Sequence, residues 1–180
     1  MVKQRNLSSQ EFTFLVDYSE TVKQLISDGN YTFCDEGFDE QCINRKKTTN
    51  SQLIMFAKFF YFKPETKLNS EEIIALMSKK GFQPANLLEF LTFAIIYPKL
   101  QLKFPILSLD KFKRRVYPKR PLNRSGFGYE GGKHYYRLGT PCLDSSNSET
   151  ELDNQTKRSL CVYIFSTDWP KSAHFLAIRK

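Results

Sequence analysis

The sequence predicts a single α+β domain, in which a mostly antiparallel sheet packs against a helical hairpin and an N-terminal helix. Three observations lead there. At 180 residues the chain is the length of one ordinary domain. Residues 70–97 hold two helix-like blocks, each with its own start and stop signals. Runs at 52–62, 160–166 and 175–179 are apolar and rich in β-formers.

The elements follow in order. Residues 1–10 read as a flexible tail and 11–180 as the domain. Phe12, Phe14 and Val16 alternate with Thr13, Leu15 and Asp17, the two-residue period of a short strand. Ser19 stands as a helix cap before ETVKQLISD, with Val22, Leu25 and Ile26 on one face and Gly29 beyond the end. Residues 30–50 are polar and irregular, a long loop. QLIMFAKFFYF (52–62) has Lys58 as its only charge and predicts a central strand covered on both faces. Asn69 or Ser70 caps SEEIIALMSKK, Asn69 and Glu72 have capping-box spacing, and Gly81 is the stop. Pro84 then opens a second helix, ANLLEFLTFAIIY, apolar nearly all round and therefore buried; the short GFQP link makes the pair a hairpin. KFPILSL enters the sheet. A mobile acidic loop is expected at about 144–157, and LCVYIFS and FLAIR finish the chain as strands.

The charge is concentrated. Twenty-seven Lys and Arg against 19 Asp and Glu give +8 overall. Between Lys99 and Leu143 eleven basic residues face two acidic ones, a local +9, so the rest of the chain is near neutral. The same stretch is rich in aromatic rings and turn residues. Cations interleaved with rings suit a nucleic-acid strand, because ammonium and guanidinium groups meet phosphates while rings stack on bases. Lys113, Arg114, Arg115, Lys119, Arg120 and Arg124 are the expected electrostatic contacts, and Tyr117, Phe127 and Tyr129 the stacking ones. Acidic clusters at Asp35/Glu36/Asp39/Glu40 and Asp144/Glu149/Glu151/Asp153 offer internal counter-charge.

Other chemistries find little support. The opening MVKQRNLSSQEFTF lacks the apolar core of a signal peptide, and the best uncharged apolar run, FLTFAIIYP, falls short of a bilayer span. The expected compartment is the cytoplasm. Four cysteines (Cys34, Cys42, Cys142, Cys161) show no C-x-x-C spacing, and with two histidines they predict neither a disulfide scaffold nor a metal site. No cofactor is expected. GFGYEGG (126–132) is glycine-rich but follows a basic turn, so a hairpin is expected there rather than a phosphate cradle. Glu71 and Glu72 belong at a helix N-terminus, where negative charge is favourable. His134 with Tyr135 and Arg137 is the one constellation that suggests catalysis: the imidazole takes a 2′-hydroxyl proton and the cations stabilise the phosphorane, as in a small nuclease of toxin or effector type. His174 reads as a turn residue.

Two stretches resemble a known pattern. SEEIIALMSKKGFQPANLLEFLTFAIIYPKLQLKFPIL (70–107) has an S-x-E helix, then G-x-x-P-A and Y-P-x-x-Q-x-K-F-P-I, and the chain ends in W-x(5)-F-L-A-I-R-K. Together they resemble a family of uncharacterised small bacterial proteins, a resemblance that implies no activity. The Trp169 and Phe175-x-x-x-Arg179 ending is also similar to that of C-type-lectin-like and formylglycine-generating-type domains, which implies a scaffold for binding or catalysis. The leading expectation is a non-enzymatic binding module that meets nucleic acid or an acidic protein through residues 111–137, with the nuclease as alternative.

Overall fold

A computed structural model describes residues 10–35, 38, 51–62, 66, 68–116, 135–146, 157–164, 169 and 172–180. The elements run β1 (Glu11–Asp17), α1 (Val22–Asp28), β2 (Phe33–Cys34), β3 (Gln52–Tyr61), α2 (Ser70–Lys79), β4 (Phe82–Pro84), α3 (Leu87–Ile96), β5 (Ile106–Leu107), β6 (Phe112–Val116), β7 (Tyr135–Ser146), β8 (Lys157–Ile164) and β9 (His174–Arg179). The strands form one sheet in the order β1-β3-β9-β5-β7-β8-β2, with β4 added to β9 and β6 to β7. Pairing is antiparallel except for β2 on β8 and β5 on β9. The α+β class and mostly antiparallel sheet expected from sequence are what the described residues form.

Successive residues of each strand sort to opposite faces, as the two-residue period requires. On the first face Phe59, Ile106, Leu143, Leu176 and Ile178 pack with α1 and α3. On the second, Phe60, Leu107, Cys142, Phe175 and Ala177 pack with Ile73 and Met77 of α2. The helical hairpin is thereby corrected. Both helices exist, but they lie on opposite faces, and their link is a strand. Gly81 takes φ +79°, a left-handed conformation that glycine adopts without a Cβ clash. From there Phe82–Pro84 pairs with β9, Gly81 O accepts from Lys180 N, and Ala85 N donates to Leu176 O. Backbone groups that a loop would leave to water are used by the sheet, and the strand carries the chain from one face to the other.

Pro84 therefore closes β4 and does not open a helix. The cap of α3 is Asn86, whose side chain accepts from Glu89 N at 3.0 Å while Glu89 Oε2 accepts from Asn86 N at 2.7 Å. It is the same reciprocal box as Asn69 and Glu72 on α2, which was expected. Ser19 is likewise not the cap of α1: its N–H and hydroxyl both donate to Asp17, and Thr21 Oγ1 accepts from Gln24 N instead. Gly29 follows α1 as expected, but the left-handed residue is Asn30. A Cβ on Gly29 would meet the Tyr31 ring, so close packing is what calls for glycine here.

β3 is one strand in from the edge, not central, and only its second half is covered on both faces. One strand further in lies β9, whose Leu176, Ala177 and Ile178 are fully buried. Part of the expected acidic loop is strand: Asp144–Ser146 ends β7 and residues 157–159 begin β8. Residues 1–9 and 147–156 lie outside the described residues.

One irregularity positions the charged segment. β5 pairs with Leu143 and Cys142, and β6 resumes at Gly139, so residues 108–111 stand against only 140–141. This bulge sits at Pro141, which has no N–H to give to Ser108. Ser108 N donates to Pro141 O at 3.1 Å, and the Ser108 carbonyl accepts from the Thr140 hydroxyl in place of the missing amide. Ser108 Oγ in turn donates to Ala85 O. With Asp110 N donating to Ser108 Oγ at 3.1 Å, Ser108 ties the bulge together, and the bulge re-aims the strand that follows.

Candidate functional site

Beyond the bulge, among the described residues, β6 pairs with the first part of β7, and the β7–β8 pairing runs to Gly139 and Ile164. Among the described residues, β6 and residues 135–138 thus form a two-stranded ribbon. Its register sets Lys113 opposite Leu138, Arg114 opposite Arg137, Arg115 opposite Tyr136 and Val116 opposite Tyr135. The fold thus brings Lys113, Arg114 and Arg115 beside Tyr135 and Arg137, which more than 18 residues of chain separate from them. Tyr117, Lys119, Arg120, Arg124, Phe127, Tyr129 and His134 lie outside the described residues, as does Cys42.

Several titratable groups that look chemical by composition are structural by geometry. Arg158 on β8 is the clearest. Its Nη2 donates to Ala94 O at 2.8 Å, Nη1 to Gly29 O and Nε to Gln101 Oε1 at 3.1 Å, and the guanidinium lies 5.0 Å from the Tyr31 ring centroid. One cation thus serves the C-terminal ends of both α1 and α3, where backbone carbonyls lack helical partners and positive charge is favourable. Gln101, buried beside it, donates to Asp144 O at 3.2 Å. Glu89 is also buried; Tyr18 donates its hydroxyl to Glu89 Oε1 at 2.7 Å, and burial pushes the Tyr18 pKa far up, so the phenol keeps its proton.

The described cysteines sit in the sheet, two of them half-buried and Cys142 buried. Cys142 and Cys161 are register partners on β7 and β8, and Cys34 on β2 pairs with Leu160. Burial raises all three thiols, Cys161 to about 11 and Cys142 well above its ordinary value, so they stay protonated at neutral pH. Among the described residues no group of three or more His, Cys, Asp and Glu is placed to hold a metal ion. No helix among them is long and apolar enough to cross a membrane.

His174 is not a turn residue. It opens β9, with its ring stacked on Phe104 at 3.7 Å and on Tyr61 at 4.9 Å. Nδ1 donates to Ser172 O at 2.8 Å, and burial lowers the pKa, keeping the imidazole neutral. Glu71 and Glu72 begin α2, where Glu72 completes the capping box and Glu71 pairs with Lys111.

Sequence reasoning missed Arg158, Gln101 and the role of Glu89. Asn86 and Glu89 repeat the capping-box spacing of Asn69 and Glu72, a local signal that would have found Glu89. Arg158 and Gln101 have no local signal, since their partners lie 43 to 129 residues away. No family model matches the chain, and no curated protein or solved structure matches it.

Proposed function

We propose that this chain is a non-enzymatic binding module whose basic ribbon contacts an anionic partner, with nucleic-acid phosphates as the ligand chemistry. The register carries the reading. It sets Arg114 directly opposite Arg137, with Lys113 and Arg115 on either side of Arg114. Like charges directly opposed on an antiparallel pair are destabilising on their own. An anion held between them relieves that repulsion, so the arrangement favours the bound state. A two-stranded ribbon is also one of the elements that the major groove of duplex DNA admits. The segments at 111–137 that complete the proposed contact carry Tyr117, Lys119, Arg120, Arg124, Phe127 and Tyr129.

The test is fluorescence-anisotropy titration with short single-stranded RNA and duplex DNA at several salt concentrations, with RNA integrity checked afterwards. Binding is expected to weaken linearly in log–log salt, by about 0.7 to 0.9 per phosphate contact. The double change Arg114→Glu with Arg115→Glu should abolish it, while His134→Ala leaves it intact. No binding at low salt removes nucleic acid and turns the reading towards an acidic protein surface. RNA degraded by the wild type and spared by His134→Ala overturns it in favour of a nuclease using His134, Tyr135 and Arg137.

A further inference from the structure

Among the described residues the two faces of the sheet are not equally covered, and the less covered part has a polarity of its own. Along β3 the outward residues pass from Ile54, 63% exposed, through Phe56, 45% exposed, to Phe60, 2% exposed beneath α2. The helix layer on this face stops short of β1 and the first half of β3. Leu15 on β1 is the register partner of Ile54 and is 49% exposed. Leu15, Ile54 and Phe56 thus form an apolar stripe at one margin of the sheet, which Lys58, the register partner of Glu11, ends on β3.

Charges of opposite sign flank the stripe. On the β1 side stand Glu11 and Asp17, which lie on the same face of that strand as Leu15. On the β9 side, Arg179 lies 5.8 Å from the Phe56 ring centroid and 5.7 Å from that of Phe82, and donates to Glu11 at 2.8 Å. Lys180 continues this basic margin, with its N–H on Gly81 O and its ammonium on Ser78 Oγ. Arg179 and Glu11 are each about half exposed, so docking can exchange this pair within one chain for the same contact between copies.

A patch with anions on one margin, cations on the other and an apolar stripe between is self-complementary under a two-fold rotation. Each copy's acidic margin then faces the other's basic one, the isologous arrangement of a two-fold dimer. We infer that this face is where a second copy of the chain docks, stripe against stripe, with Arg179 of each copy meeting Glu11 of the other. Edge-to-edge pairing of β1 fits less well. Thr13 O, on the outer side of β1, already accepts from the Tyr97 hydroxyl at 2.9 Å. Centred antiparallel pairing of Glu11–Asp17 would also set Glu11 against Asp17 of the other copy. The inference is independent of the ribbon, which lies elsewhere on the sheet.

Sedimentation equilibrium of the full chain, freed of nucleic acid, tests this over a wide concentration range. A reversible monomer–dimer equilibrium is expected, and Ile54→Lys should weaken it by at least about tenfold, equivalent to about 1.4 kcal/mol. Glu11→Arg and Arg179→Glu should each weaken self-association, while an equimolar mixture of the two variants restores it, because the mixed dimer regains both opposite-charge contacts. Loss of folding cannot produce that rescue. A wild type that stays monomeric up to its solubility limit overturns the inference. So do a dimer indifferent to Ile54→Lys, a mixture that fails to restore association, or assembly beyond the dimer.

Discussion

Among the described residues, the first face of the sheet carries two helices and the second carries one, and the two have opposite economies of burial. Against the first, α3 buries eight consecutive residues from Leu87 to Ala94, polar Glu89 and Thr92 included. Its Phe93 sits in an aromatic cluster, edge-on to Phe12 at 5.3 Å, Phe14 at 5.6 Å and Phe59 at 5.6 Å. Against the second, α2 buries only Ser70, Ile73 and Met77 and leaves the β1 margin bare. A helix apolar all round requires cover on every side, which the first face supplies with α1, the sheet and the Arg158 network. An amphipathic helix with one apolar stripe covers only the strands beneath that stripe. Coverage of each face thus follows from the hydrophobic pattern of the helix that lands on it.

The comparison can be broken by its largest effect first. Phe93→Ala on the covered face should destabilise the fold by about 3–5 kcal/mol in a denaturant titration, since the cluster is too constrained to collapse around the cavity. Phe56→Ala on the bare face, measured at concentrations where the chain is monomeric, should stay within about 0.5 kcal/mol of wild type. Comparable losses at the two positions would refute the contrast.

Next in size is Arg158→Ala, which strands the carbonyls of Gly29 and Ala94 together with Gln101. About 2–4 kcal/mol of stability should go. Arg158→Lys should recover little of it, because a point charge cannot reach three divergent acceptors as a guanidinium does. Full recovery by lysine would show that charge near the helix ends, rather than the fork, is what matters.

The smallest effect concerns pH on the first face, at the start of β9. His174 has its pKa lowered from 6.5 in the folded chain, chiefly by burial. The unfolded chain therefore binds its proton at higher pH than the folded one. Stability from this group is fully present above 6.5 and is lost as pH falls from there towards the folded value. His174→Phe, which keeps a ring on Phe104 and Tyr61, should flatten that part of the stability–pH curve relative to wild type. An unchanged slope would assign it to other groups.

The residues explain which expectations held. The start of α2 at Asn69 and its stop at Gly81 were readable because caps act over three or four neighbouring residues. The alternation of β1 was readable for the same reason. The mistakes at Ser19 and Pro84 are also local: in each case a residue suited to a helix start lay two positions before the true cap, Thr21 or Asn86. The helical hairpin failed for a different reason. GFQP is short enough for a turn, and only β9, nearly a hundred residues further on, offers the edge that makes it a strand. As to the candidate site, the charge excess at 99–143 was visible, whereas the Arg114–Arg137 pairing was not.

Composition and local pattern, then, determined the α+β class, the capped helices, the strands and the stretch that holds the charge. Tertiary structure alone decided the strand order, the face each helix covers, the duty of Arg158 and the stripe left bare beside β1. The division has a physical cause. Caps, periods and charge density are properties of residues within one turn or one strand. Sheet partners and buried hydrogen bonds are chosen among groups far apart in sequence, by which arrangement leaves the fewest backbone polar atoms unpaired and the least apolar surface in water.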